Sequence, residues 1–130
     1  GYIDLDGFKG INDQSGHALG DQVLREVAAA ITKLLRGTDF AGRLGGDEFG
    51  VLLVETTADG PQTFFGRLHD ALNALAARHS WPLGISIGVG VFHLPRITPD
   101  DAIHFADELM YQVKRSGKNR VLVQEVVTRG

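Results

Sequence analysis

Residues 84 to 92 read Gly-Ile-Ser-Ile-Gly-Val-Gly-Val-Phe, a strict alternation with Ile85, Ile87, Val89 and Val91 on one face and only glycine or serine from 84 to 90 on the other. A period of two over this length specifies a β-strand, and the β-branched residues favour one. No other segment constrains the fold as much. The apolar face demands a core, and the bare face admits another element at backbone distance. A closely packed helix is the expected occupant, with a bound ligand as the alternative. At 130 residues, 43% hydrophobic and 22% charged, the chain is long enough for one real core. A single domain over 1–130 is expected.

The remaining periodicities fill in the frame. Tyr2 to Leu5 reads as a short strand with Ile3 and Leu5 on one face. From Gly20, the residues Val23, Leu24, Val27, Ala28, Ile31, Leu34 and Leu35 recur at helical spacing, with Asp21 near the start and Gly37 past the end. Asp39 to Leu44 and Phe49 to Glu55 read as two short strands joined through Gly45 and Gly46 as a hairpin. Pro61 opens a second helix whose stripe is Phe64, Phe65, Leu68, Leu72 and Leu75, ending before Trp81-Pro82. Thr98 caps a third, with Pro99 at its first position, running through Leu109, Met110 and Val113 to Gly117. A last strand covers roughly Arg120 to Val127. This order is neither strict βα alternation nor all-β, and it predicts an α+β sheet with helices on one or both faces.

The chemistry concentrates in Arg43-Leu-Gly-Gly-Asp-Glu-Phe-Gly50, two glycines set against two carboxylates. Glycines let a backbone turn tightly and a ligand approach it, while paired acids supply the oxygen ligands that a hard divalent cation prefers. Asp4 and Asp6 are the other candidates. They share a face of the first strand, where buried carboxylates are costly unless paired or metal-bound, and they would meet Asp47 if that strand neighbours the hairpin. Facing solvent at a sheet edge is the alternative. The net charge of −3 lacks the basic footprint of a protein that grips a nucleic-acid backbone, and leaves a small phosphorylated ligand open. The absence of cysteine excludes disulfides and thiolate metal sites and fits a reducing compartment. Neither an apolar run near ~18 residues nor a basic-then-apolar N-terminus is present, so no membrane span or signal peptide is expected. His17, His69, His79, His93 and His104 show no metal-ligand spacing.

Arg43-Leu-Gly-Gly-Asp-Glu-Phe49 resembles the signature of the GGDEF domain, the diguanylate cyclase family. Asp4-Leu-Asp-Gly-Phe-Lys-Gly-Ile-Asn-Asp13, Gly16-His-Ala-Leu-Gly-Asp21, Ser86-Ile-Gly-Val89, Ala106-Asp-Glu-Leu-Met-Tyr111 through Lys114, and Gly117-Lys-Asn119 resemble further family blocks in the family's order. The resemblance implies a ferredoxin-like palm, a mainly antiparallel sheet flanked by helices, related to nucleotidyl cyclases and polymerases. It implies condensation of two GTP into cyclic di-GMP with release of two pyrophosphates. Asp4, the Leu5 carbonyl, Asp47 and Glu48 would hold two Mg²⁺ per site, with Mn²⁺ as a substitute. Asp47 is also a candidate base for the ribose 3′-hydroxyl, although metal activation could make a dedicated base unnecessary.

By the same resemblance, Asn12 and Asp21 would read guanine, with a helix N-cap the alternative for Asp21. Phe8, Lys9, Gly45 and Gly46 would lie near the triphosphate, with Phe8 equally readable as core. Lys114 and Lys118 would neutralise phosphate; as isolated lysines they read as a solvated helix end. Arg36-Gly-Thr-Asp39 stands where the family places its product-inhibition site, with Arg67 a candidate second arm, although Arg67-Leu-His-Asp70 fits the same Arg-x-x-Asp pattern. The expected partners are a second copy of the domain and an upstream sensory or regulatory domain, with neither nucleic acid nor membrane contact by this segment. A cytoplasmic domain is expected, with the anchoring of its parent open. The family's Asp-x-Leu-Thr-x-Leu-x-Asn-Arg-like segment before the first strand has no counterpart here, which implies N-terminal truncation. A catalytically silent GTP or cyclic di-GMP binding module is the alternative function.

Overall fold

The computed structural model describes residues 1–54, 56, 59–93 and 97–126. Along the chain run β1 (Tyr2–Asp6), α1 (Phe8–Ser15), α2 (His17–Leu34), β2 (Phe40–Arg43), β3 (Glu48–Leu52), α3 (Gly60–Arg78), β4 (Gly84–Phe92), α4 (Pro99–Arg115) and β5 (Val121–Val126). The strands form one sheet in the order β2-β3-β1-β4-β5, antiparallel throughout except for the β4–β5 pair. This is the α+β palm expected from the sequence, with β1 between the hairpin and the alternating strand. The expected strand ends at Glu55 and Val127 lie outside the described residues.

Ile3, Leu5, Phe49, Val51, Ile85, Ile87 and Val89 make up one face of the sheet, and α2 and α3 cover it. Phe65 and Leu68 of α3 and Val23, Val27 and Ile31 of α2 are almost fully buried there. The opposite face carries α4. A Cβ on Gly88 would collide with the backbone of Ala106 and Met110, so the bare face of β4 is bare because a helix lies against it. The ligand alternative for that face is thereby excluded at Gly88. Thr98 caps α4 by accepting from the Asp101 amide at 3.1 Å, with Pro99 in its first turn. The β4–α4–β5 crossover then returns the chain parallel to β4.

Two local expectations need correction. The segment between β1 and Gly20 is helical: α1 is entered through Gly7 at φ 88° and ended by Gly16 at φ 86°. With eight residues and only Phe8 and Ile11 buried, it is too short to show a helical period in sequence. Consequently α2 begins at His17, with Gly16 in the cap position and no acidic residue in the first turn. Asp21 is therefore not an N-cap. Gly45 and Gly46 do not take the positive φ that a tight turn would ask of glycine; among the described glycines that belongs to Gly7, Gly16 and Gly117. Gly45 instead makes room for a side chain, since a Cβ there would stand 2.9 Å from Glu48 Oε1.

Candidate active site

The pairing of β1 with β3 and β4 sets Asp4 directly opposite Glu48 on one side and Ser86 on the other. Residues opposite each other in antiparallel strands share a face, so Glu48, Asp4 and Ser86 form one row on the α4 side of the sheet. Asp6 follows two residues along, opposite Gly84. The Leu5 amide donates to the Asp47 carbonyl at 3.1 Å, tying the Gly-Gly-Asp-Glu turn to the end of β1. Four carboxylates thus gather at one end of the sheet, and Asp4 and Asp6 are buried rather than facing solvent at an edge. The turn itself is held by Arg43, whose guanidinium donates to the carbonyls of Gly45 (2.9 Å) and Gly46 (2.7 Å).

Lys114, in the last turn of α4, is the cation that faces the acid pair. Its Nζ lies 2.6 Å from Asp4 Oδ2 and 3.8 Å from Asp6 Oδ1. Burial pushes the Asp4 carboxyl up and Lys114 pulls it down, but neighbouring Asp47 and Glu48 push it up again, so its pKa ends above the usual carboxylate range. Burial opposes the charge on Lys114, yet Asp4 at hydrogen-bond distance, with Asp6 and Asp47 behind it, carries its pKa above the ordinary lysine value. Asp6 Oδ2 accepts from Ser86 Oγ at 2.6 Å and from the Asn119 amide at 3.3 Å, while Asn119 Oδ1 accepts from the Ile85 amide at 3.0 Å. Sequence reasoning singled out Asp6 as an acid of the site but missed its bonds to Ser86 and Asn119, and it missed the part played by Arg43. A polar residue inside an otherwise apolar or glycine-only strand was the available signal for Ser86.

Whether this site suits divalent metal is decided by its oxygens. Asp4 Oδ1 and Asp6 Oδ1 are both buried without a hydrogen-bond partner, which is costly for a carboxylate and is remedied by a cation. As the side chains stand, no three acidic or histidine groups among the described residues converge closely enough to cage an ion. The donor chemistry fits, and the Lys114 ammonium partners only the other Asp4 oxygen, Oδ2.

The other sequence-derived candidates fall in several places. Phe8 is buried in the core, which favours its core reading, whereas Lys9 and Lys118 are exposed. Lys118 sits in the α4–β5 turn at φ 64°. Asn12 is half-buried on α1 and Asp21 exposed on α2. Arg36 and Asp39 are not splayed toward a common ligand but clasp each other. The Arg36 amide donates to Asp39 Oδ2 at 2.8 Å, and its guanidinium reaches both carboxylate oxygens at 3.2 and 3.1 Å. The guanidinium also donates to the Val54 carbonyl at 3.1 Å. Arg36 holds the Asp39 carboxyl below its usual range, and Asp39 raises Arg36 in return. Arg67 is exposed on α3 and, among the described residues, makes no hydrogen bond or ion pair to either.

Fold and site together define a palm-type α+β domain with its acids gathered where the first strand meets a Gly-Gly-Asp-Glu turn. The family described as "Diguanylate cyclase, GGDEF domain" matches residues 2–120, and the chain belongs to it. It is 35% identical over 130 residues to the probable diguanylate cyclase DgcT of Escherichia coli, covering 96% of this chain and 29% of DgcT. The structure is similar to diguanylate cyclase SiaD of Pseudomonas aeruginosa, solved in complex with its activator SiaC, at TM-score 0.84 and 34% identity. That match covers 95% of this chain and 48% of SiaD. It is also similar to the GGDEF domain of DgcB from Caulobacter crescentus, solved in complex with c-di-GMP, at TM-score 0.79 and 30% identity, covering 94% of this chain and 74% of that one. The chain spans about a third of the length of the curated relatives it matches. No described helix is long and apolar enough to cross a membrane.

Proposed function

We propose that this domain is the catalytic part of a diguanylate cyclase, condensing two GTP into cyclic di-GMP and two pyrophosphates. The observation that carries the reading is the Glu48–Asp4 row with Asp6 beside it, the Asp4 and Asp6 carboxylates each keeping a buried orphaned oxygen, next to the Gly-Gly-Asp-Glu turn of a family member. Asp4, the Leu5 carbonyl, Asp47 and Glu48 would hold two Mg²⁺, or Mn²⁺ in their place. Bound divalent ions supply neutralisation of the triphosphate charge and acidify the attacking 3′-hydroxyl. The chain's own residues then position. Asn12 and Asp21 hold the guanine, since a carboxylate can accept the base's N1 and N2 hydrogens together. Gly46 contributes a surface without side chain, where an added Cβ would meet nothing within 4 Å. Lys114 in the last turn of α4 and Lys118 in the turn after it take phosphate charge, and Lys9 lies near the triphosphate in the first turn of α1. Asp47 is a metal ligand first and a base for the 3′-hydroxyl second, because a carboxylate stabilised by metal is a weak base.

Each domain holds one GTP in this scheme, so the reaction needs a second copy facing the first, brought there by a regulatory domain of the parent. Arg36 and Asp39 form the product-inhibition site, with Arg67 as a second arm; its use requires product to displace the internal clasp. The test is a fusion of the chain to a constitutive dimer, assayed with GTP and Mg²⁺ for cyclic di-GMP. Product formation that depends on dimerisation is expected. GTP binding without product from the dimer sinks the enzyme reading in favour of a silent binding module.

A further inference from the structure

We propose that Gly20 is a specificity-determining positioning residue: its missing side chain lets the Asn12 amide stand where, with Asp21, it reads a guanine base. The inference rests on the guanine reading proposed above. α1 and α2 meet at a corner formed by Gly16, whose amide donates to the Asn12 carbonyl at 3.0 Å. Across that corner, a Cβ on Gly20 would collide with Asn12 Oδ1 and stand 2.9 Å from its Cγ and 3.4 Å from its Nδ2. All three atoms nearest to that position belong to the Asn12 amide. Asp21 is the next residue and is exposed, so the Asn12 amide, a neutral donor–acceptor group, is seated against the helix one residue from a carboxylate.

Neither helix capping nor backbone conformation calls for a glycine here. Gly20 is buried at the fourth position of α2, past the cap, with its amide already donating to the Gly16 carbonyl at 3.3 Å, in helical backbone where glycine is less favourable than alanine. It is not among the glycines with positive φ, so its backbone does not require one. Gly88 offers the contrast, because the atoms crowding it are backbone and cannot swing aside. At Gly20 the obstacle is the end of a flexible side chain, so an alanine is accommodated by turning the Asn12 amide away and the fold survives. Recognition is lost while stability is kept or improved. The 2-amino group of guanine has a second hydrogen for the Asn12 amide oxygen besides the one the carboxylate accepts, and adenine has neither that group nor the N1 hydrogen, so the loss is confined to guanine.

Calorimetric titration of the chain with the βγ-imido analogues of GTP and ATP in Mg²⁺, alongside thermal melts, tests this. The proteins compared are wild type, Gly20→Ala, Asn12→Ala and the double variant. The wild type prefers the guanine analogue. Gly20→Ala weakens guanine binding about tenfold or more, leaves adenine binding within about twofold, and melts no lower than wild type. The double variant binds no more weakly than Asn12→Ala alone, because the alanine has no amide left to displace. A Gly20→Ala protein that keeps its guanine preference, or that loses both nucleotides equally, overturns the inference. Additive losses in the double variant do so as well. A wild type without guanine preference overturns the guanine reading itself, and this inference with it.

Discussion

Replacing Lys114 by methionine keeps the aliphatic stem and removes the cation facing Asp4 and Asp6. Breaking a buried ion pair from one side costs about 3–5 kcal/mol, because the other charge stays buried alone. Here the Asp4 side chain is 9% exposed but that of Lys114 is 31% exposed, so water reaches part of the pair. Partial screening, and the raised pKa that lets Asp4 take up a proton, bring the expected cost to about 2–3 kcal/mol. An unfolding entropy of roughly 0.27 kcal/mol per kelvin for 130 residues converts this into a fall in Tm of about 7–11 °C without metal. Divalent cation then has more to offer the variant than the wild type, where it must first displace the ammonium. At a hundredfold excess over Kd, metal stabilises by about 2.7 kcal/mol, enough to restore most of the loss. Differential scanning fluorimetry of both proteins, with Mg²⁺ and with a chelator, reads both effects. A drop in Tm below about 2 °C in chelator, or the same Mg²⁺ increment in both proteins, refutes the idea that Lys114 stands in for a cation at this acid pair.

Asp47→Asn keeps the Leu5-to-Asp47 backbone bond and should melt within about 2 °C of wild type while losing at least about a hundredfold in cyclic di-GMP formation by the dimeric fusion. Unchanged turnover contradicts its place among the metal ligands. Gly88→Ala drives a methyl into the backbone of α4 and should cost about 1–3 kcal/mol, read by urea denaturation as a lower midpoint with an unchanged slope. The Arg36–Asp39 clasp gives a pH signature. Because the folded pKa of Asp39 lies below its ordinary 3.8, its contribution is fully present above 3.8 and is lost as pH falls from there through the lowered value. Asp39→Asn therefore removes part of the acid destabilisation seen below pH 3.8 in wild-type melts; an identical acid limb in both proteins excludes the clasp as its source.

By itself the sequence determined the elements with long, clean periods and one consequence of them. The alternation from 84 to 92 made β4 and required something thin-backed against its bare side, because a glycine face leaves backbone exposed at contact distance. The apolar stripes fixed α2, α3 and α4, the Gly-Gly-Asp-Glu turn marked the acid site, and Asp4 stood out as a carboxylate in an apolar strand. What lay beyond reach was either too short or too distant along the chain. Eight residues of α1 carry only two buried side chains, so no period could announce it, and the start of α2 was misplaced as a result. The Asp6–Ser86 and Asp6–Asn119 bonds join residues 80 and 113 positions apart, and Lys114 reaches Asp4 only because α4 crosses the sheet above β1. Local pattern records which face a residue takes; charge pairing across a sheet depends on strand order and helix placement, which tertiary packing alone decides. The same limit hid the Arg36–Asp39 clasp, where an Arg-x-x-Asp spacing can present two groups to a ligand or close them on each other, and the folded chain chose closure.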